Sequence, residues 1–145
     1  MTQMIFVNLP VTDLKASMAF YEAAGFANNP QFTDETAACM MLSEEICVML
    51  LTHDKWRVFT DRPIADAHKS GEVMLAISCD GRDAVDAMTE TAGKNGGTAD
   101  INAKQDYGWM YSRSFADPDG HVWETMWMDM AAMEAAEGSE QPAAA

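Results

Sequence analysis

The order of structural signals along this chain occurs twice, and that doubling limits the folds open to it more than any single motif. "MIFVNLPV" has the apolar, β-branched character of a strand. Asp13 then opens "DLKASMAFYEAAG", where Leu14, Met18 and Tyr21 recur at helical spacing between Asp13 as N-cap and Gly25 as stop. Three strand-like runs follow, "PQFTD", "TAACMML" and "ICVMLLT", the last two separated by the polar "SEE" of a hairpin. From residue 72 the order repeats: "EVMLAISC" as strand, "GRDAVDAMTETAGKNGG" as a helix with Val85, Met88 and Ala92 on one face, then "GTADI", "WMYSRSF" and "HVWETMWM". Asp13 and Asp80 stand at matching places while the letters between them differ, so architecture is what repeats. The expected fold class is α+β, built of two βαβββ modules: module one over 1–55, a connector over 56–71 and module two over 72–130.

The whole of 1–133 is expected to form one domain, since 145 residues with 48% hydrophobic content suffice for a single core. The connector "HDKWRVFTDRPIADAHKSG" has mixed charges and two exposed-looking aromatics, Trp56 and Phe59; its "RPIADA" piece is a candidate short helix. The two aromatics either fold over a cleft or pack the connector down. The low-complexity end, 134–145, has no apolar stripe to bury and reads as a flexible tail after a turn or two of helix. No apolar run approaches the ~20 residues of a membrane helix, and the N-terminus lacks the basic start and apolar core of a signal peptide, so a cytoplasmic protein is expected. Cys39, Cys47 and Cys79 are odd in number, lie in apolar runs and lack CxxC spacing; they read as core residues. Most of the 13 methionines read as core filling in strands. A net charge of −14 argues against nucleic acid and anionic membrane as partners, and tolerates cationic ligands.

Two segments carry a family resemblance. "VTDLKASMAFYEAAGF" resembles the V-x-D-L-x-x-S-x-x-F-Y-x-x-x-G-F opening of the vicinal oxygen chelate superfamily, which includes glyoxalase I, extradiol dioxygenases and bleomycin-resistance proteins. "FADPDGHVWE" resembles its closing F-x-D-P-D-G-H-x-W-E signature. Together they bracket nearly the whole chain. The resemblance implies two modules whose sheets form a curled mixed sheet around a cleft, with a homodimer as the usual assembly. In metal-dependent members, ligands come from the first and last strands of each module, and the carboxylate after the D-P-D-G turn, here Glu124, is one of them.

Glu124 is a charge in a run otherwise suited to burial. Strand alternation puts it with Val122 and Met126, opposite His121, Trp123, Thr125 and Trp127. Such a carboxylate needs a partner: a metal, a substrate donor, or a basic group such as Arg113. The other ligand positions of the resemblance fall at Phe6, with Asn8 the nearest polar residue on that face, at Val48 or Met49, and near Met74. Thioethers are poor ligands for hard or borderline metals, so this set does not complete a site that wants about three His, Glu, Asp or Gln groups. Among the histidines His53, after the fourth strand, is the best candidate ligand, while His68 and His121 read as solvated or locally hydrogen-bonded. No cofactor is expected, and a divalent metal at Glu124 with His53 stays open.

Polar and aromatic groups concentrate in "QDYGWMYSRSF", where Tyr107, Trp109, Tyr111 and Arg113 alternate onto one face of an expected strand. An aromatic face with one guanidinium suits a planar or anionic small molecule, and equally half of a core. Two functions follow. One is a bleomycin-resistance-like binding protein that holds a small molecule in the inter-module cleft, lined by Asn8, Trp56, Phe59, Tyr107, Trp109, Tyr111 and Arg113. The other is a metal-dependent glyoxalase-like lyase or isomerase of the lactoylglutathione lyase type, with Glu124 as catalytic group and ligand.

Overall fold

The computed structural model describes residues 2–138 and contains both expected modules. In module one, strand β1 (Ile5–Val11) leads into helix α1 (Leu14–Ala23), followed by β2 (Ala27–Asn29), β3 (Ala37–Met41) and β4 (Ile46–Thr52). Module two consists of β5 (Met74–Ser78), α3 (Arg82–Lys94), β6 (Thr98–Ala99), β7 (Gln105–Asp106), β8 (Met110–Ala116) and β9 (Val122–Met128). Each module is a mixed sheet: the order is β1-β4-β3-β2 in one and β5-β9-β8-β6 in the other, with β7 also pairing β8. The first strand runs parallel to the last in both, β1 with β4 and β5 with β9, because the helix carries the chain back before the later strands return as antiparallel neighbours.

Several local expectations shift. The second strand of module one precedes "PQFTD": Ala27–Asn29 pairs with β3, while Pro30–Phe32 forms a single 3-10 turn, Pro30 lacking the N–H a ladder would use. Asp13 caps α1 as expected, accepting from the Ala16 N–H, whereas Asp80 caps nothing and Gly81 is the residue before α3. The connector helix is α2 (His53–Phe59), begun by the Thr52 hydroxyl accepting from the Lys55 N–H; "RPIADA" is not helical. The expected boundary between module one and connector therefore falls inside α2. Helix α4 (Met130–Gly138) occupies the start of the presumed tail, and the rest of that tail, 139–145, lies outside the described residues. Among the described residues no helix is long and apolar enough to cross a membrane.

The helix-facing sides of the strands meet in one core. Leu9, Val11, Ala38, Met40, Val48 and Leu50 from module one join Phe20, Tyr21 and Phe26, and the same cluster takes in Phe115 and Trp123 from module two. Gly97 permits this contact: a side chain there would collide with the Ala116 carbonyl and the Phe20 ring.

At the centre of the junction, the Tyr21 hydroxyl donates to Asp117 Oδ2 at 2.7 Å and accepts from Trp123 Nε1 at 3.0 Å. Asp117 is buried, yet its other oxygen accepts the backbone N–H groups of Asp119 and His121, so the D-P-D-G turn is folded around that carboxylate. Burial pushes the Asp117 carboxyl above its ordinary pKa, against the opposing effects of His121 and the donated hydrogen bonds. Asp119 then reaches back to module one, accepting from the Thr12 N–H at 3.0 Å, and the His121 ring lies 2.8 Å from the Pro10 carbonyl. Gly120, at a left-handed φ of 90°, also leaves room for Ala67 and His68 of the connector.

In module two, α3 is held by Val85, Thr89 and Ala92, with the Thr89 hydroxyl 3.0 Å from that of Thr125. Arg113, only 7% exposed, extends under α3 and donates to Asp86 at 3.0 Å, Glu90 at 2.6 Å and Asp100 at 2.7 Å.

Tyr21→Phe should test the junction, because it leaves a buried carboxylate and the Trp123 N–H short of a partner. A loss of about 2–4 kcal/mol is expected by urea denaturation, far more than removal of an exposed hydroxyl costs.

Candidate functional site

Glu124 lies on the side of β9 that α3 does not cover. Its neighbours across the sheet are Ala76 on β5 and Ser114 on β8; along its own strand stand Val122 and Met126, as alternation requires. The carboxylate is half-buried, and among the described residues no hydrogen bond or ion pair reaches it. It sits in a shallow floor of small side chains, Ala76, Ser78, Ser112 and Ser114, edged by Met74 and Met126.

The pairing of Glu124 with Arg113, weighed from the sequence, does not form. Adjacent strands in register put paired residues on one side of a sheet, and the partner of Glu124 is Ser114, so Arg113 projects to the opposite side. There its three carboxylates hold its pKa far above the ordinary guanidinium value, Asp100 contributing most, while Arg113 in turn lowers Asp100. Asp86 is also lowered, first by the Tyr111 hydroxyl and then by Arg113.

Tyr111 shares that covered side and donates to Asp86 at 2.6 Å, and the Arg82 guanidinium packs over its ring at 4.8 Å and over Trp127 at 5.5 Å. Trp109 precedes β8 and stacks on Tyr107 at 6.2 Å. The expected aromatic face is thus split between a stacked turn and a helix-covered layer, and neither adjoins Glu124. The alternation rule holds only within the strand, which begins at Met110.

Two concave surfaces lie where the modules meet. A cavity of about 310 Å³ is bounded by Asn8, Leu9 and Pro10 of β1, by Trp56 of α2, by Ala65, Ala67, Ser70 and Gly71 of the connector, and by Val73, Leu75 and Val122 of module two. Val122 is on the same side of β9 as Glu124 and two residues before it, so the carboxylate stands one pleat, about 7 Å, beyond the cavity wall. Of the expected ligand-binding residues the cavity takes in Asn8 and Trp56; Phe59 lies elsewhere, 67% exposed, with Lys55 over its ring. A larger groove of about 710 Å³ brings together His53, His68 and His121 with Arg57, Arg62 and Asp119. No sequence spacing could show that gathering, because the three histidines come from α2, the connector and the D-P-D-G turn.

The metal implied by the family resemblance does not fit the donors present. Glu124 is flanked by Ala76 and Ser114 on its own sheet, and the implied positions on module one hold Asn8 beside Met49, so the implied set offers one carboxylate, an amide and a thioether. His53 opens α2 on the larger groove, apart from Glu124, and among the described residues no three His, Cys, Asp or Glu side chains form a metal-holding group.

Stability measurements on Glu124→Gln, Arg113→Met and their combination should separate the two charges. Arg113→Met strands three partly exposed carboxylates and should cost about 2–3 kcal/mol, discounted from the fully buried case; Glu124→Gln should cost under about 0.5, and the pair should add within about 0.5 kcal/mol. Because the folded-state values of Asp86 and Asp100 are depressed, their contribution is present above the ordinary carboxylate pKa and lost as pH falls through the depressed values. The gap between wild type and Arg113→Met should therefore narrow below about pH 4 in urea titrations.

Residues 3–43 match the bleomycin resistance protein-like N-terminal family. No match was found among curated proteins. Solved structures match over nearly the whole chain. A "hypothetical protein" from S. aureus is 25% identical, with 88% of this chain and 95% of that one covered at a TM-score of 0.72. A glyoxalase/bleomycin resistance protein/dioxygenase family enzyme from Burkholderia phytofirmans is 20% identical, with 88% and 100% covered at 0.71. An antibiotic binding protein from Streptomyces sp. CB03234 is 18% identical, with 89% and 98% covered at 0.61. With its doubled βαβββ fold and its bracketing motifs, the chain is thus similar to the bleomycin resistance protein-like N-terminal family over its first module and shares the fold of glyoxalase/bleomycin resistance protein/dioxygenase structures over nearly its whole length.

Proposed function

We propose that this protein binds a small organic molecule between its modules, in the manner of a bleomycin-resistance protein, with no catalytic metal. The observation that carries the reading is the cavity at the module junction, apolar along Leu9, Trp56, Leu75 and Val122, with the unpartnered Glu124 carboxylate one pleat beyond it. A volume of about 310 Å³ is at the small end of ligand pockets, and Trp56 offers a flat surface for an aromatic ring. A cationic group on the ligand is favoured by Glu124 and by a net charge of −14. The antibiotic-binding neighbour from Streptomyces supports the same class of activity. The lyase reading needs a complete ligand set, and the donors around Glu124 do not supply one.

The proposal includes a homodimer in the cytoplasm. β1 and β5 are both sheet edges, and Ile5, Phe6, Val73 and Met74 on or beside them are each more than half exposed, a cost that a second copy would relieve. Elution at the dimer position on a sizing column is expected; a monomer near 15.9 kDa at every micromolar loading would overturn that part.

Tryptophan fluorescence titrated with bleomycin and with a panel of planar aromatic amines tests the binding reading. At least one should bind at micromolar concentration, and Trp56→Ala and Glu124→Gln should each weaken it about tenfold or more while the fold is retained. Absence of saturable binding across the panel would count against the cavity. One equivalent of nickel, zinc, manganese or iron per chain, lost in Glu124→Gln, would restore the lyase.

A further inference from the structure

The side of the module-one sheet turned away from α1 carries an array of sulfur. β3 and β4 are antiparallel, with Cys39 paired to Met49 and Met41 paired to Cys47, so all four side chains leave the same side of the sheet at the corners of one rectangle. Their sulfurs converge. Cys39 Sγ lies 3.0 Å from Cys47 Sγ and 3.6 Å from Met41 Sδ, and Cys47 Sγ lies 3.8 Å from Met49 Sδ. Both cysteines are buried, while Met41 and Met49 are half-buried and form the accessible rim.

We propose that Cys39, Cys47, Met41 and Met49 form a binding site for a soft monovalent metal ion, copper(I). Two thiolates and two thioethers are a donor set that hard cations use poorly and copper(I) uses well, the thioethers favouring the softer ion. The spacing agrees with the chemistry. With metal–sulfur bonds of about 2.3 Å, ligands around a tetrahedral ion stand about 3.8 Å apart; two of the three contacts are already near that, and the thiol pair has to open by about 0.8 Å. The thiols occupy diagonal corners of the rectangle, where strand spacing favours a bridging ion over a direct sulfur–sulfur bond. Burial, followed by the neighbouring Cys39, pushes the Cys47 thiol up to about 12, so Cys47 rests as a neutral thiol in the free protein. On binding, each S–H bond that breaks releases its proton to solvent as a sulfur–copper bond forms, and copper stays in the +1 state throughout. The four sulfurs belong to the module-one sheet, and Glu124 to the other sheet.

Full-length protein, reduced and then freed of reductant under anaerobic conditions, would be titrated with copper(I) held by bicinchoninate, with the bound metal counted by native mass spectrometry. One copper per chain should leave the chelator. Met41→Leu and Met49→Leu, which keep side-chain volume, should each weaken binding about tenfold, and Cys47→Ser by about 100-fold or more. Cys79→Ser should bind as the parent does. Failure to withdraw copper, parental affinity in both methionine variants, or equal loss in Cys79→Ser would overturn the proposal. So would thiol counting that finds Cys39 and Cys47 joined as a disulfide in protein isolated without reductant.

Discussion

A single carboxylate, Asp117, holds the two halves of this molecule in register. Buried among aromatic rings, it would be costly alone, and it is kept by three donors that come from different places: the Tyr21 hydroxyl from module one, and two backbone N–H groups from its own turn. Trp123 completes the arrangement by donating to the same hydroxyl, so one short network fixes α1 against β9. The position of every other feature at the junction follows. Asp119 is turned back to Thr12, His121 to Pro10, and the connector is laid over Gly120.

This changes the meaning of the closing motif that carries half of the family resemblance. In "FADPDGHVWE", Asp117, Asp119, Gly120, His121 and Trp123 all serve the clasp between modules, while the Glu124 carboxylate faces away from it, on the side of Val122, with no hydrogen-bond or ion-pair partner among the described residues. A sequence can therefore carry the signature for reasons of folding while the implied ligand positions on β1, β4 and β5 fall at Phe6, at Val48 or Met49, and near Met74. The same division holds across each sheet. The side against a helix is a packed core, and the other side is where module two displays Glu124 and module one displays its four sulfurs.

The sequence was most legible where one local rule dominates. The cap at Asp13, the helical stripe through Tyr21, the hairpin at "SEE" and the parity of Glu124 in its strand all depend on neighbours a few residues away, and all appear in the structure. It was least legible where a long-range partner decides. Arg113 looked like a ligand for Glu124 or for an anion, yet α3 brings Asp86 and Glu90 over it, and the loop after β6 brings Asp100. "PQFTD" looked like a strand, but pairing with β3 had already been taken by the three residues before it. Trp56 read as connector packing or lid, and only its place on α2 sets it beside β1 and Val122.

By itself, then, the sequence determined the doubled module, its two crossover helices and its longer strands, and which side chains share a side of a strand, because periodicity and turn chemistry act over one or two turns of chain. The tertiary structure alone decided which charges are satisfied and which are left for a ligand. Whether Arg113 or Glu124 is free depends on what the other elements bring to each side of β8 and β9, and the gathering of three histidines in one groove or four sulfurs on one sheet depends on strand register and module docking. Those are set by the burial of Tyr21, Phe115 and Trp123 in a common core, which is a property of the whole chain and of no segment within it.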